Sequence, residues 1–353
     1  MTRSSNNPWL HRFAILSTVT TLLLVWIGGL VTSKGVGLSV PDWPTTYGYN
    51  MFFFPISKWV GGIFYEHSHR LLASAVGFLT VILAVWLWLK EERPWLRRLG
   101  FLALVLVVLQ GVLGGLRVTL IKDELGIFHA TLAQLFFALL GGISLVTSKW
   151  WVNRSNEREI DRMRLHRLYA FTTVLILFQL VLGATMRHQH AGLAIPDFPT
   201  AYGKLWPQMD ASSIERYNQM RTEVVAVKPI TAFQVALQMV HRFTAAIVFI
   251  LVGLCAVLAQ YQFGFGSRLT RMGWLWFGLL LLQVILGAAT ILTNKSADIA
   301  TAHVAVGALS LLSGMQLWLA AGRSLKTVAL AKRGTMLEKA EGNIVGAQVK
   351  FPA

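Results

Sequence analysis

Long apolar runs alternate with short polar connections along this chain, and the length of the runs sets the first reading. Eight of them, at about 13–33, 66–89, 99–118, 126–147, 168–187, 233–260, 273–293 and 300–321, each approach the roughly 20 residues that a helix needs to cross a bilayer. The pattern predicts an all-α integral membrane protein with eight transmembrane helices, its surface facing the lipid bilayer. Five connections, namely the N-terminus, 90–98, 149–167, 268–271 and the tail, hold 20 of the 32 lysines and arginines. That asymmetry predicts that both termini are cytoplasmic and that every odd-to-even connection lies outside. The first run is long for a signal peptide and no small-residue cleavage site follows it, so it is read as a span. The N-terminus lacks an organelle transit pattern, which leaves a bacterial inner (cell) membrane as the expected home.

The two halves of the pattern match. Gly28-Gly29-Leu30 through Pro41-Asp42-Trp43-Pro44-Thr45-Thr46-Tyr47-Gly48 corresponds to Gly183-Ala184-Thr185 through Pro196-Asp197-Phe198-Pro199-Thr200-Ala201-Tyr202-Gly203, at an offset of 155. His69-Arg70 corresponds to His241-Arg242 at 172, Leu109-Gln110 with Gly114 to Leu282-Gln283 with Gly287 at 173, and His129 to His303 at 174. Each half holds an even number of spans, so both copies enter the membrane from the same side. The expected organisation is two parallel four-helix repeats, residues 1–150 and 151–325, followed by a mobile cytoplasmic tail, 326–353. The offset grows by 17 residues in the outer connection of the second half. There Ser212-Ser213-Ile214-Glu215 reads as a capping box that opens a short surface helix.

Composition narrows the chemistry. Only 14% of the 353 residues are charged, against about 25% in soluble proteins, and 55% are hydrophobic. The net charge of +16 sits in short connections between apolar runs, which reads as topology and not as a nucleic-acid surface. The single cysteine, Cys255, lies within a span. Disulfides, cysteine zinc sites, iron–sulfur clusters and covalent C-x-x-C-H haem attachment are excluded.

Four histidines, His69, His129, His241 and His303, fall in the first turns of even-numbered spans, at one expected depth. A histidine inside a span is costly and is by default a site candidate. Within each half the two come from different helices, which suits axial ligation of a haem iron from opposite faces. One pair per half gives two haem sites; helix-start or interhelical hydrogen bonding is the plainer alternative. Arg70 and Arg242 follow a histidine in both copies and suit haem propionates, or snorkelling to the interface. His67, His188 and His190 have no counterpart in the other half and read as interfacial polar residues. The glycine pairs Gly28-Gly29, Gly114-Gly115 and Gly141-Gly142 read as close helix contacts.

Glu66 breaks the match between the halves. It stands one helical turn before His69, whereas Gln238 takes its place before His241. An acid enclosed beside one haem suits proton transfer, and an amide does not. A protein that only carries electrons between two haems has no need of it. The alternative is that Glu66 caps its helix.

At these residues the chain resembles the heme A synthase family over about residues 1–325. The resemblance rests on the eight-span duplication, Glu-x-x-His-Arg in the first half, bare His-Arg in the second, and the two later histidines. It implies an oxidoreductase that acts on a haem methyl group, converting heme O to heme A for terminal oxidase assembly. By that resemblance His69 and His129 hold the substrate heme O, His241 and His303 hold a resident heme b, and Glu66 is the catalytic acid. Heme O synthase and terminal oxidase subunits are the implied partners, with self-association into a homo-oligomer also open. Many members carry a cysteine pair in an outer loop; this chain has none there, so a disulfide-linked mechanism is out. The competing reading is a di-haem b-type electron-transfer protein.

Overall fold

The computed structural model describes residues 7–153, 162–221 and 229–347. Within them eight helices are long and apolar enough to cross a membrane: α1 (Pro8–Ser33), α2 (Gly61–Lys90), α3 (Pro94–Leu120), α4 (Asp123–Thr147), α6 (Arg162–His188), α8 (Ala232–Phe263), α9 (Arg268–Leu292) and α10 (Ala297–Ala347). Two short helices join them, α5 (Lys149–Asn153) and α7 (Ala211–Gln219). The protein is an all-α integral membrane protein.

Local chemistry fixes the helix ends. Asn7 caps α1 by accepting from the N–H groups of Trp9 and Leu10, both at 3.1 Å, and Pro8 and Pro94 open α1 and α3 where no donor is needed. Thr231 and Gln234 form a reciprocal capping box on α8. The box read at Ser212 is not used. Asp210 caps α7 instead, accepting from the Ser213 N–H at 3.0 Å and from the hydroxyls of Ser212 and Ser213. A carboxylate two residues earlier offers two acceptor oxygens where a hydroxyl offers one, and the helix starts there. Inside the spans, hydroxyls such as Thr18, Thr21 and Thr80 return to the carbonyl four residues back at 2.7–2.8 Å, which satisfies these hydroxyls within their own helix.

The spans pack as two rings. In the first, α1, α2, α3 and α4 follow one another and α4 closes on α1; in the second, α6, α8, α9 and α10 do the same, with α10 closing on α6. Each ring has its own apolar core, built around Leu83, Leu87 and Leu140 in one and Tyr169, Val252 and Trp276 in the other. The rings meet where α10 touches α1 and α4, and where α4 touches α6. Thus α4 and α10 are the most enclosed spans, with 56% and 50% of their most apolar stretch buried against 17–33% elsewhere. Gly141 and Gly142 make this contact possible: a Cβ on Gly141 would stand 2.2 Å from Leu312, and one on Gly142 3.2 Å from Met315. At its far end α10 does not stop at the predicted boundary near 321 but continues as helix through the expected tail to Ala347. Residues 348–353 of that tail lie outside the described residues.

Candidate functional site

Two loops lead into the helices that carry His69 and His241, and they have one conformation. Asp42 accepts from the Thr45 hydroxyl at 2.5 Å and from the N–H groups of Tyr47 and Gly48 at 2.7 and 2.9 Å. Asp197 does the same with Thr200, Tyr202 and Gly203 at 2.6, 2.7 and 2.9 Å. Burial acts to raise both carboxyls, but these donors outweigh it and hold them below the usual range. Each loop contains a cis X-Pro bond, Trp43–Pro44 or Phe198–Pro199, and a left-handed pair, Tyr47-Gly48 or Tyr202-Gly203. The tyrosine hydroxyls donate back to the carbonyls of Ser39 and Ala194 at 2.5 and 2.6 Å.

Glu66 and Arg70 hold the first loop down. The Glu66 side chain is buried, accepts the Val40 N–H at 2.9 Å and pairs with Arg70 at 2.9 Å. Arg70 also donates to the carbonyls of Asp42, Thr45 and Val40 at 2.7, 3.0 and 2.7 Å. In the second half Gln238 accepts the Ile195 N–H at 2.7 Å and donates to its carbonyl at 3.2 Å. Arg242 donates to the carbonyls of Thr200 and Asp197 at 2.8 and 2.7 Å. Both arginines therefore direct their terminal N–H groups at loop carbonyls; the propionate contact expected of them would require exchanging those bonds.

The four histidines share one contact. Each ring edge lies against a glycine of the preceding span: His69 on Gly28, His129 on Gly114, His241 on Gly183 and His303 on Gly287. A Cβ on those glycines would stand 2.9, 3.2, 3.4 and 3.1 Å from the respective Cε1. A side chain at any of them would push the ring away. All four glycines shape the imidazole positions, although only Gly28 and Gly114 read as helix contacts in the sequence. The signal was present in the repeat offsets, which pair Gly28 with Gly183 and Gly114 with Gly287. All four Nδ1 atoms are enclosed without a hydrogen-bond partner, while each residue keeps part of its surface accessible. Within each half the two imidazoles lie in electrostatic reach of one another. Among the described residues no three His, Cys, Asp or Glu converge on a point that would hold a bare metal ion. Two imidazoles per half match the axial demand of an iron already held in a porphyrin. The residues fit that group.

Two of the three unmatched histidines are enclosed by protein. His67 is fully buried between Phe54 and Trp59, with Nδ1 3.2 Å from the Thr46 hydroxyl, so it is part of the first loop's anchorage. His188 is buried against Gly126 of α4, at the seam between the rings. Only His190 stays exposed, in a left-handed turn. Two arginines escaped the sequence reading. Arg187 crosses the seam to donate to the Gly29 carbonyl at 2.7 Å and to the Ser33 hydroxyl. Arg117, one turn beyond Gly114, rests against Gly37 within electrostatic reach of Glu66 and Asp123.

Eight spans with an imidazole pair near one end of each four-helix ring define a multi-pass membrane protein built around paired histidines. Residues 49–315 match COX15-CtaA, described as cytochrome oxidase assembly protein, and the chain belongs to that family. It is similar to the heme A synthase of Lysinibacillus sphaericus (strain C3-41), 26% identical over 318 residues, 88% of this chain and 94% of that one. It is likewise similar to the heme A synthases of Geobacillus kaustophilus (strain HTA426), 26% identical with 82% and 84% covered, and Shewanella oneidensis (strain MR-1 among its designations), 25% identical with 86% and 93% covered.

Proposed function

We propose that the protein is a heme A synthase of the cell membrane: it oxidises one methyl group of heme O, through two hydroxylations and loss of water, to the formyl group of heme A. The carrying observation is the imidazole pair in each ring, seated on glycines, in a chain of this family. His69 and His129 present their rings to substrate heme O, and His241 and His303 to a resident heme b. When bound, the haem groups supply the iron redox chemistry. The chain's own residues orient and enclose. Asp42 and Arg70 fix the loop beside the first pair, and Glu66 holds an ionisable group one helical turn from His69. Arg117, whose guanidinium lies beside Gly37, supplies in this reading a cation for a porphyrin carboxylate in the first half. The two rings are parallel copies of one unit, with both termini cytoplasmic.

Co-expression with a source of heme O, followed by pigment extraction and chromatography, tests this reading. Heme A is the expected product, and heme O recovered unchanged beside a full complement of heme b overturns it. One observation favours the second reading, a di-haem electron-transfer protein. Both oxygens of Glu66 are engaged by Val40 and Arg70, much as Gln238 is engaged by its own loop. That reading requires turnover-independent haem spectra and no modified porphyrin.

A further inference from the structure

A glutamine of the preceding span contacts three of the four histidines, at the main chain of His129 and His241 and at the ring of His303, and none stands at that place for His69. Gln110 stands four residues before Gly114 and donates its amide to the His129 carbonyl at 3.1 Å. Gln179 stands four before Gly183 and donates to the His241 carbonyl at 3.0 Å. Gln283 stands four before Gly287, with its amide 3.5 Å from the His303 ring nitrogen, in a gap that Gly307 leaves for it. Each amide thus sits one turn below the glycine that receives the ring, so at His129 and His241 ring and backbone are held from one helix face. The position four residues before Gly28 is Leu24, which packs into the apolar core of the first ring and offers His69 no donor. At the 155 offset Leu24 corresponds to Gln179.

Outer-shell partners that orient a ligating histidine raise the hold of the site on its metal group. Here the glutamines act on position: the main chain at His129 and His241 is tied by an amide to the span that receives the ring, His303 has an amide beside its ring, and His69 has neither. We propose that His69 is the exchangeable ligand of the first site, and that Leu24 is the positioning residue that keeps it so. The inference rests on the two-haem reading above. It supplies what that reading needs and the histidines alone do not: one iron porphyrin that stays and another that must enter and leave. The ligand class released through His69 is an iron porphyrin in either its methyl or its formyl form.

The full-length protein, purified after co-expression with a heme O source, is mixed with excess apomyoglobin, and the porphyrins transferred are identified by extraction. Heme O and heme A should leave in a fast phase and heme b in a slow one. Leu24→Gln should slow the fast phase about tenfold and raise its low-spin, bis-imidazole fraction, because one added hydrogen bond is of that order. Gln179→Leu, an apolar replacement of similar size, should speed heme b loss by a similar factor. Both variants retaining two porphyrins with both rates and the spin state unchanged would overturn the proposal and leave the two-haem reading standing. Protein that binds no porphyrin under haem-replete expression sinks the two-haem reading itself, and the proposal with it.

Discussion

Glu66 and Gln238 occupy equivalent places in the two rings, and the loops they anchor are nearly superposable in their bonding. Each accepts one loop N–H, from Val40 or Ile195, and each has an arginine four residues on that ties down the same loop's carbonyls. The difference is one charge. Glu66 pairs with Arg70 at 2.9 Å, whereas Gln238 turns its amide to the Ile195 and Gly192 carbonyls and leaves Arg242 to the loop. The second ring demonstrates that an amide suffices to hold such a loop. A carboxylate in the first is therefore more than the fold requires, and this surplus is the strongest argument that the first ring does chemistry.

The largest effect should come from the second pair. His241→Ala should abolish tightly bound heme b while the first site still takes up heme O, read from pyridine haemochrome spectra; full heme b retention would end the assignment of the two rings. Next is the charge itself. Glu66→Gln should cut heme A formation by about 100-fold or more, the usual contribution of a positioned acid or base, with haem content intact. Gln238→Glu should change it little. Equal turnover in wild type and Glu66→Gln would favour the electron-transfer reading.

Arg70→Ala and Arg242→Ala compare the anchors directly. The first leaves the buried Glu66 carboxylate unpaired and should weaken its loop by about 3–5 kcal/mol, as breaking a buried pair does. The second strands only carbonyls and should cost about 1–3 kcal/mol. Hydrogen exchange at residues 45–48 against 200–203 measures the contrast, and equal loosening would show that the ion pair adds nothing. The smallest difference is expected on acidification. Asp42 and Asp197 are both held below the ordinary carboxylate pKa of 3.8, so their contribution is complete above that value and is lost as pH falls through their lower folded values. Limited proteolysis should find both loops unchanged from pH 7 to about 5 and loosened together only in stronger acid. Loosening of one loop near neutrality would show that the shared bonding is not what holds them.

The spans and the four histidines were legible in the sequence because hydropathy and repeat offset are properties of the chain alone. The role of Arg70 was not, since its partners are backbone carbonyls 25 to 30 residues away, and carbonyls carry no side-chain signature. Gly28 and Gly114 look like any small residue in an apolar run until a neighbouring helix brings an imidazole to them. The burial of His67 was hidden for the opposite reason. It adjoins a loop rich in exposed aromatics such as Phe53, yet Phe54 and Trp59 fold inward over it. The Ser212 pattern was a true capping signal overruled by a better acceptor two residues upstream.

The seam along Gly141 and Gly142 couples what the rings would otherwise keep separate. The helices that meet there, α4 and α10, each bear one member of an imidazole pair, His129 and His303. Bulk added to that contact cannot be absorbed by one ring, because it displaces two helices that each carry an imidazole of a different pair. A change that shifts one imidazole pair through this seam therefore shifts the other as well.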